Sequence, residues 1–398
     1  MLLGVVPRLA QIGSRRWIAT LAAMTAVTAL SIDMSLPAQP TLALAFGVPG
    51  ATAQLTLSLF LIGFAGAQIV AGHLSDVLGR RRVLLIGLAL FVATGLLCAL
   101  SPTIEVLLAC RVLQGIGAAA APVVARAMVR DTQPGAQAAR LLSTMLAALA
   151  VAPMIAPVLG GALLDAFGWR AIFLALAVCG AVLLALAAAT LPETLPPERR
   201  ATHSLARGFA TFLRTPGTRL PMLVSCASFA GQFAYISDSP FVLIDGYGVP
   251  AGAFGFYFAA TALALMIGSL GGGAMLRAGR SPRGMIVLGT SLLCAGGVLV
   301  VVGTHAGLGV AGFLVPMLIY FLGIGLTSPS ATALAMEPVP HLAGTASAMV
   351  GALQMTCGAL AGYATTRIGG SSPHTFALVV VAMGALALAL AIGASRRP

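Results

Sequence analysis

The sequence predicts an all-α membrane protein with twelve transmembrane helices in two pseudo-symmetric six-helix bundles. Of its 398 residues 59% are hydrophobic and only 8% are charged, whereas a typical soluble domain is roughly 25% charged. Apolar runs long enough to cross a ~30 Å hydrocarbon core recur twelve times. Glycine and arginine positions that repeat between the two halves of the chain predict the two bundles.

The twelve apolar runs are separated by short polar breaks, and one polar stretch is long. This stretch is rich in proline and charged residues and predicts a linker at residues 191–218, between an N-terminal bundle at 1–190 and a C-terminal bundle at 219–398. The predicted spans are 17–37, 51–71, 83–101, 105–129, 138–162, 170–190, 219–240, 252–273, 284–303, 309–333, 343–366 and 375–394.

Charge predicts the orientation of these helices. All 22 basic residues are arginines, and they concentrate in alternate loops. Cytoplasmic loops carry the excess of arginine and lysine, so we expect these loops, the linker and both termini in the cytoplasm. The net charge of +12 is therefore topological and predicts no nucleic-acid partner, because no compact basic domain is present. The expected partners are anionic lipid headgroups.

The residues that carry enzyme and metal chemistry form no pattern. The six cysteines stand singly in apolar runs without CxxC spacing, and the five histidines have no metal-ligand spacing. No Ser-His-Asp set, phosphate-binding loop or dinucleotide fingerprint is present. The sequence predicts neither an enzyme, nor a metal site, nor a cofactor.

The segment from Gly72 to Arg82 interrupts two apolar runs with one acid and three arginines within seven residues. On its own this pattern is that of a cytoplasmic loop with turn glycines. The order Gly-x-Leu-Ser-Asp-x-x-Gly-Arg-Arg also resembles the loop 2–3 signature of the major facilitator superfamily. The resemblance implies a charge cluster that closes the cytoplasmic side, to which we assign Gly72, Asp76, Gly79, Arg80, Arg81, Arg130 and Asp131.

Short strings recur between the halves. Gly79 and Arg80 return as Gly279 and Arg280, at an offset of 200, and Gly115-Ile116-Gly117 returns as Gly323-Ile324-Gly325, at an offset of 208. Parallel halves with a substrate cavity between them at mid-depth account for these repeats.

Asp33 is an ionisable residue within the first predicted span, and such residues are functional candidates because hydrocarbon makes their charge costly. A carboxylate poised between burial, which favours its neutral form, and a nearby cation, which favours its charged form, can load and release a proton. At 1.5 Å per residue Asp33 is expected roughly 24 Å up the span, in its outer third. Alternatively, Asp33 caps a wetted helix end. The run from Asp33 to Pro37 resembles the first-helix motif of drug:proton antiporters.

Arg111 lies in the fourth span at a similar expected depth, roughly 9 Å below the outer surface. Arg111, Gln114 and Gly115 share one helix face, and we expect Arg111 to pair with Asp33 directly or through water. The alternative is that Arg111 extends to the membrane surface. The order Arg-x-x-Gln-Gly-x-Gly resembles the fourth-helix signature of proton-coupled members, which implies proton coupling by Arg111.

The fifth span carries a stripe of proline and glycine that predicts a kinked, closely packing helix. It resembles the fifth-helix motif of antiporters, with Ala156 where that motif has glycine before proline. The stripe consists of Pro153, Pro157, Gly160 and Gly161.

The second half has one comparable acid, Asp238, near the predicted outer end of the seventh span. A solvated helix end and a place in the cavity are both open to it. The run from Tyr235 to Val242 resembles the seventh helix of bicyclomycin-type exporters. The predicted cavity residues are Gln114, Gln232, Tyr235, Asp238, Tyr320, Gln354 and Met355.

Together these motifs resemble the Bcr/CflA subfamily of multidrug exporters. The resemblance implies a monomer in the bacterial inner membrane that exports small drugs in exchange for protons, with the proton gradient as energy source and no cofactor. The same scaffold also allows a proton-coupled importer of a small metabolite. A membrane sensor would need a sizeable soluble domain, which the short linker does not supply.

Overall fold

The computed structural model of the protein describes residues 12–133, 135–199, 205–339, 343–369 and 372–395. Residues near the termini on which the prediction drew, such as Arg8 and Arg396, lie outside these ranges, as do His203 and His341. Within the ranges the chain forms α-helices without strands: α1 (Arg15–Asp33), α2 (Gln39–Phe46), α3 (Gly50–Leu78), α4 (Arg80–Ala99), α5 (Ile104–Thr132), α6 (Gly135–Phe167), α7 (Trp169–Thr190), α8 (Leu205–Arg214), α9 (Arg219–Pro240), α10 (Ala251–Arg277), α11 (Pro282–His305), α12 (Gly309–Met336), α13 (Ala343–Gly369) and α14 (Pro373–Ser395).

Eleven helical segments of the described chain are long and apolar enough to cross a membrane. They correspond to all the predicted spans except the eleventh. The predicted eleventh span, 343–366, coincides with α13, which is long enough but is interrupted by Gln354 and several glycine, serine and threonine residues. The predicted helical membrane fold is confirmed.

The first and seventh spans are longer than predicted. The first runs from Arg15 to Phe46, because α1 is followed by a 3-10 turn at Leu36–Ala38 and then by α2. The seventh continues beyond α9 through a π-helical turn at Phe241–Gly246. Both predicted spans end at a proline, Pro37 and Pro240, and in each case the helical segment continues beyond it, because proline removes a helical hydrogen bond without ending the apolar segment.

Successive spans alternate in direction, which defines two ends of the molecule. We call the end where α3 meets α4 the arginine-rich end, and the other the opposite end. Gly79 joins α3 to α4 with φ +99°, a conformation that side chains other than glycine rarely adopt.

Glycines allow neighbouring helices to approach closely. A Cβ atom on Gly115 of α5 would overlap the carbonyl oxygen of Phe60 on α3, and one on Gly117 would lie 2.7 Å from the carbonyl oxygen of Gly87 on α4. The two halves meet where α3 packs against α13 and α6 packs against α10.

The linker contains a helix that the sequence analysis did not predict. α8 contacts α13, and its Phe212 is fully buried in an apolar cluster with Met222 of α9, Ala335 of α12 and Met349 of α13. α8 is therefore packed on the C-terminal half.

Candidate functional site

Asp33 is the last residue of α1, roughly midway along the first span. Its side chain is buried, with 4% of the residue exposed, and no hydrogen bond or ion pair joins its carboxylate to a described residue. The alternative in which Asp33 is a wetted helix cap is therefore wrong, because its side chain is buried and the helical segment continues through α2. The structure instead presents a buried carboxylate at a helix break.

Arg111 is fully buried in α5, so the alternative in which it reaches the membrane surface is wrong. Its guanidinium donates from Nε to the carbonyl oxygen of Thr56 (3.0 Å), from Nη1 to Oε1 of Gln114 (2.7 Å) and from Nη2 to the carbonyl oxygen of Ser31 (3.3 Å). It also lies over the ring of Phe60, 4.3 Å from the centroid.

No direct ion pair joins Asp33 and Arg111. Neutral acceptors from α1, α3 and α5 satisfy the guanidinium instead, and the α1 acceptor, Ser31, is two residues from Asp33. The Arg111 side chain therefore contacts the last turn of α1 through the carbonyl oxygen of Ser31. The Asp33 carboxylate has no counterion among the described residues, so the expected direct pair is absent.

Gln114 lies between α5 and α4. Its Oε1 accepts from Arg111, and Sγ of Cys98 is 3.9 Å from the same oxygen. Its Nε2 is buried and has no partner among the described residues. Gln114 thus supports Arg111 from within the N-terminal half.

The glycine pair of α6 connects Asp33 to the other half of the molecule. A Cβ on Gly160 would overlap the carbonyl oxygen of Met34, the residue after Asp33. A Cβ on Gly161 would lie 2.9 Å from the carbonyl oxygen of Ala251, at the start of α10. α6 is therefore fitted against the helix break on one side and against the C-terminal half on the other.

Just before Gly160 on α6, the packing is reversed, because here a glycine of α10 faces the backbone of α6. A Cβ on Gly255 of α10 would lie 2.5 Å from the backbone of Val158 and 2.7 Å from that of Pro157. Pro153, one turn earlier, lies within the same helix. Gly255 was not predicted from the sequence, because an isolated glycine in an apolar run carries no signal of what it faces.

At the arginine-rich end the predicted charge cluster forms around Arg80. Its guanidinium donates to Asp76, to Oγ of Ser75 (2.7 Å) and, from Nε, to Oδ2 of Asp131 (2.9 Å). Arg130 is exposed and does not join the cluster, since its Nε lies 3.5 Å from the carbonyl oxygen of Arg126. Gly72 contributes the carbonyl oxygen that accepts from Ser75 (2.8 Å).

Glu193, the third residue after α7, completes this cluster and was missed. Its carboxylate accepts from the backbone amides of Arg80 (2.9 Å) and Arg81 (3.1 Å) at the start of α4. Arg81 in turn donates to the carbonyl oxygens of Leu191 (2.9 Å) and Ala188 (2.8 Å). The available signal was that Gly79 has no side chain to cap α4, so another acceptor had to be supplied.

Asp238 is 1% exposed, so its interpretation as a solvated helix end is wrong. Its neighbours Ser237 and Ser239 have buried hydroxyls without partners among the described residues. A Cβ on Gly362 of α13 would overlap Oγ of Ser237. Asp238 therefore lies in a buried polar region between α9 and α13.

This polar region extends to the N-terminal half. Nε2 of Gln54 on α3 donates to Oγ of Ser58 (3.0 Å), and Ser58 donates to the carbonyl oxygen of Ala359 on α13 (3.1 Å). We call Gln54, Ser58, Ser237 and Gly362 the polar seam. The sequence analysis missed Gln54 and Ser58, since uncharged polar residues are ordinary in transmembrane helices.

No hydrogen bond between described residues joins the remaining predicted cavity residues to one another. Tyr235 and Tyr320 are fully buried, and their hydroxyls lack partners among the described residues. Nε2 of Gln354 donates to Oγ of Ser225 (2.6 Å). Gln232, Gln354 and Met355 are half-buried. Within the described residues no group of His, Cys, Asp and Glu is placed to hold a metal ion.

Comparison with known proteins agrees with this architecture. A family profile described as Major Facilitator Superfamily matches residues 21–362. The chain is 36% identical to the uncharacterized MFS-type transporter YdgK of Bacillus subtilis, over 83% of each protein. It is 28% identical to the bicyclomycin resistance protein homolog of Haemophilus influenzae, over 91% of this chain and 92% of that one, and 32% identical to the chloramphenicol resistance protein of Pseudomonas aeruginosa, over 81% and 77%.

Solved structures show the same fold at low sequence identity. A peptide transporter POT in complex with sulfate superposes with a TM-score of 0.77 at 15% identity, covering 98% of this chain and 96% of that one. The xylose transporter XylE from E. coli gives 0.74 at 15% identity, over 95% and 96%. The chain belongs to the Major Facilitator Superfamily and is a transporter, not an enzyme.

Proposed function

We propose that the protein exports small-molecule drugs across the bacterial inner membrane in exchange for protons, by alternating access. Support for drug export comes from relatives named for bicyclomycin, chloramphenicol and multidrug resistance. Support for proton coupling comes chiefly from one observation, the buried Asp33 carboxylate without a counterion.

A charged Asp33 is costly in this environment, so its state depends on which side of the membrane can reach it. Access from the proton-rich side favours the neutral acid. Access from the other side, with a drug bound, favours release of the proton. Arg111 keeps the last turn of α1 in place while this exchange takes place, since its three hydrogen bonds are made to neutral groups.

The charge of Asp33 can influence the opening of the transporter because of the packing around the helix break. Gly160 fits against Met34, and Gly161 fits against the start of α10. A small movement of the break therefore displaces α6 relative to the C-terminal half. We assign Pro153 and Pro157 the role of shaping α6 for this contact.

We assign the arginine-rich end to the cytoplasm by its excess of arginine, and with it both termini. The cluster of Arg80, Asp76 and Asp131, with Gly72, Gly79 and Arg81, is assigned to the cytoplasmic gate. The units 1–190, 191–218 and 219–398 are proposed as the functional divisions of a monomer in contact with membrane lipids. Of the predicted cavity residues, the half-buried Gln232, Gln354 and Met355 are assigned to the cavity. Gln114, Tyr235, Asp238 and Tyr320 are buried and are assigned to the packing behind it.

The test compares Asp33→Asn with Glu105→Gln, which changes an exposed acid in the first turn of α5. In proteoliposomes with an imposed pH gradient, Asp33→Asn should abolish uphill movement of radiolabelled chloramphenicol but keep exchange at equal concentrations. Glu105→Gln should transport normally. Uphill transport by Asp33→Asn would refute the role of this carboxylate.

Direction separates export from import of a metabolite. In vesicles preloaded with chloramphenicol, the wild-type protein should dissipate an imposed pH gradient, because drug leaves in exchange for entering protons. A proton-coupled importer would instead accumulate its substrate along with protons and would not confer resistance in a susceptibility panel. Unchanged susceptibility to both bicyclomycin and chloramphenicol would count against drug export.

A further inference from the structure

A pocket lies at the arginine-rich end of the C-terminal half, remote from Asp33. Its volume is about 460 Å³, which is within the usual range of small-molecule sites. It is formed where α9 and α11 begin and α12 and α14 end, together with the linker residues before α9. Its floor is an apolar cluster containing Val224, Ile286, Leu334 and Ala391.

The rim of this pocket is strongly basic. Arg214, Arg219 and Arg283 line it, and Glu337 is the one acid among the lining residues. No ion pair joins Glu337 to these arginines, and the side chains of Arg214 and Arg283 make no hydrogen bond with a described residue. Arg219 donates from Nε to the carbonyl oxygen of Leu213 (2.5 Å). The N–H groups on its two Nη atoms make no hydrogen bond with a described residue and can donate to a ligand.

Arg80 provides the comparison within the same molecule. At the same end of the N-terminal half, Arg80 is compensated by both Asp76 and Asp131. The pocket instead concentrates three guanidinium groups with one acid. Its positive charge is therefore left for a ligand.

The start of α9 adds to this charge. Thr218 gives α9 no side-chain cap, because its hydroxyl donates to the carbonyl oxygens of Phe212 (2.8 Å) and Thr215 (3.0 Å). The N-terminus of a helix carries a partial positive charge and accommodates anions. Arg219 and Leu220, the first two residues of α9, line the pocket.

We propose that this pocket binds the headgroup of an anionic phospholipid, with its phosphate on the arginines and the first part of its acyl chains on the apolar floor. The combination selects an amphiphile, because a small inorganic anion makes no use of Val224, Ile286 or Ala391. Four spans begin or end at the pocket, which places it at the level of the headgroups. The proposal is independent of drug export and of Asp33.

The experiment measures the thermal unfolding midpoint of the full chain in detergent with added dioleoyl phosphatidylglycerol or dioleoyl phosphatidylcholine. Phosphatidylglycerol should raise the wild-type midpoint by about 4 °C more than phosphatidylcholine does. The variant Arg214→Gln/Arg219→Gln/Arg283→Gln should lose most of this difference. The control Arg277→Gln/Arg280→Gln removes two exposed arginines at the same end, outside the pocket, and should keep it.

Native mass spectrometry of the single variants Arg214→Gln and Arg283→Gln gives an independent readout, which should show fewer retained phosphatidylglycerol molecules than in the control. A full lipid-specific shift in the triple variant, or an equal loss in the control, would overturn the proposal. An equal shift with water-soluble glycerol 3-phosphate would also overturn it, since the ligand would then be a soluble phosphate and not a lipid.

Discussion

The two halves share their helix order but differ in what fills the centre of each bundle. In the N-terminal half Arg111 bridges α5 to the last turn of α1 through Ser31. In the C-terminal half the corresponding helices, α12 and α9, meet through Phe321 and Tyr235, whose ring centroids are 4.9 Å apart. A charged bridge in one bundle is replaced by an aromatic contact in the other, so we assign coupling to the first and scaffolding to the second.

The equivalence of these positions follows from backbone contacts. A Cβ on Gly115 of α5 would overlap the carbonyl oxygen of Phe60 on α3, and a Cβ on Gly325 of α12 would overlap that of Leu265 on α10. Arg111 and Phe321 each precede their glycine by one helical turn, so they face the same neighbours. The N-terminal half therefore has a charge where the C-terminal half has a ring.

The two glycines of each Gly-Ile-Gly string contact their neighbouring helices in opposite order in the two halves. Gly117 packs on α4, where a Cβ would lie 2.7 Å from the carbonyl oxygen of Gly87, whereas in the C-terminal half it is Gly323 that packs on α11, 2.6 Å from that of Gly289. The sequence repeat pairs Gly115 with Gly323, whereas the contacts pair Gly115 with Gly325 and Gly117 with Gly323. The strings are the same, but their two glycines have exchanged neighbours.

The largest expected difference between the halves is that between Arg111→Gln and Phe321→Leu. Loss of the guanidinium removes charge-assisted hydrogen bonds from buried acceptors, so uphill chloramphenicol transport should fall about 10- to 100-fold. Phe321→Leu should keep transport within about twofold and cost about 1 kcal/mol of stability. Equal losses in the two variants would remove the distinction between a coupling half and a scaffold half.

The glycine contacts predict equal sensitivity in the two halves. Gly115→Ala and Gly325→Ala should each lower the free energy of unfolding by about 1 to 3 kcal/mol, since the added methyl group meets backbone atoms. Thermal unfolding in detergent measures this loss. Gly66→Ala and Gly271→Ala, at helix positions with nothing within 4 Å, are the matched controls. A neutral Gly325→Ala would show that the contact-based equivalence is wrong.

The smallest effect is expected at the repeated loop arginines. Arg80 is buried and pairs with Asp76 and Asp131, whereas its repeat, Arg280, is exposed and makes no side-chain contact of this kind among the described residues. Arg80→Gln should lower transport about 3- to 10-fold, and Arg280→Gln should leave it unchanged within about twofold. Comparable losses would assign a gate to both loops.

Much of this architecture could be predicted, because hydrocarbon imposes a strong pattern on the sequence. Asp33 and Arg111 are conspicuous for the same reason: ionisable groups in apolar runs are rare. The span ends were less accurate where proline interrupted a helix without ending it, as at Pro37 and Pro240. The absence of a direct ion pair between Asp33 and Arg111 was not predictable, since residue spacing gives the depth of a side chain but not which helix faces meet.

Contacts between distant segments were beyond the sequence pattern. Gln54, Ser58 and Gly255 acquire their importance from helices of the other half, and nothing near them in the chain indicates this. Glu193 is similar, because its partners are amides more than a hundred residues earlier. Such residues become visible only when the packing of the two bundles is known.

The linker is attached at both ends, which limits how far the bundles can separate. Glu193 fastens its beginning to the first bundle, and Phe212 anchors α8 in the second. Nine residues separate Leu195 from Leu205, the first residue of α8, and a fully extended chain of that length reaches about 30 Å. The distance by which the two halves can separate at the arginine-rich end therefore has an upper limit set by covalent reach.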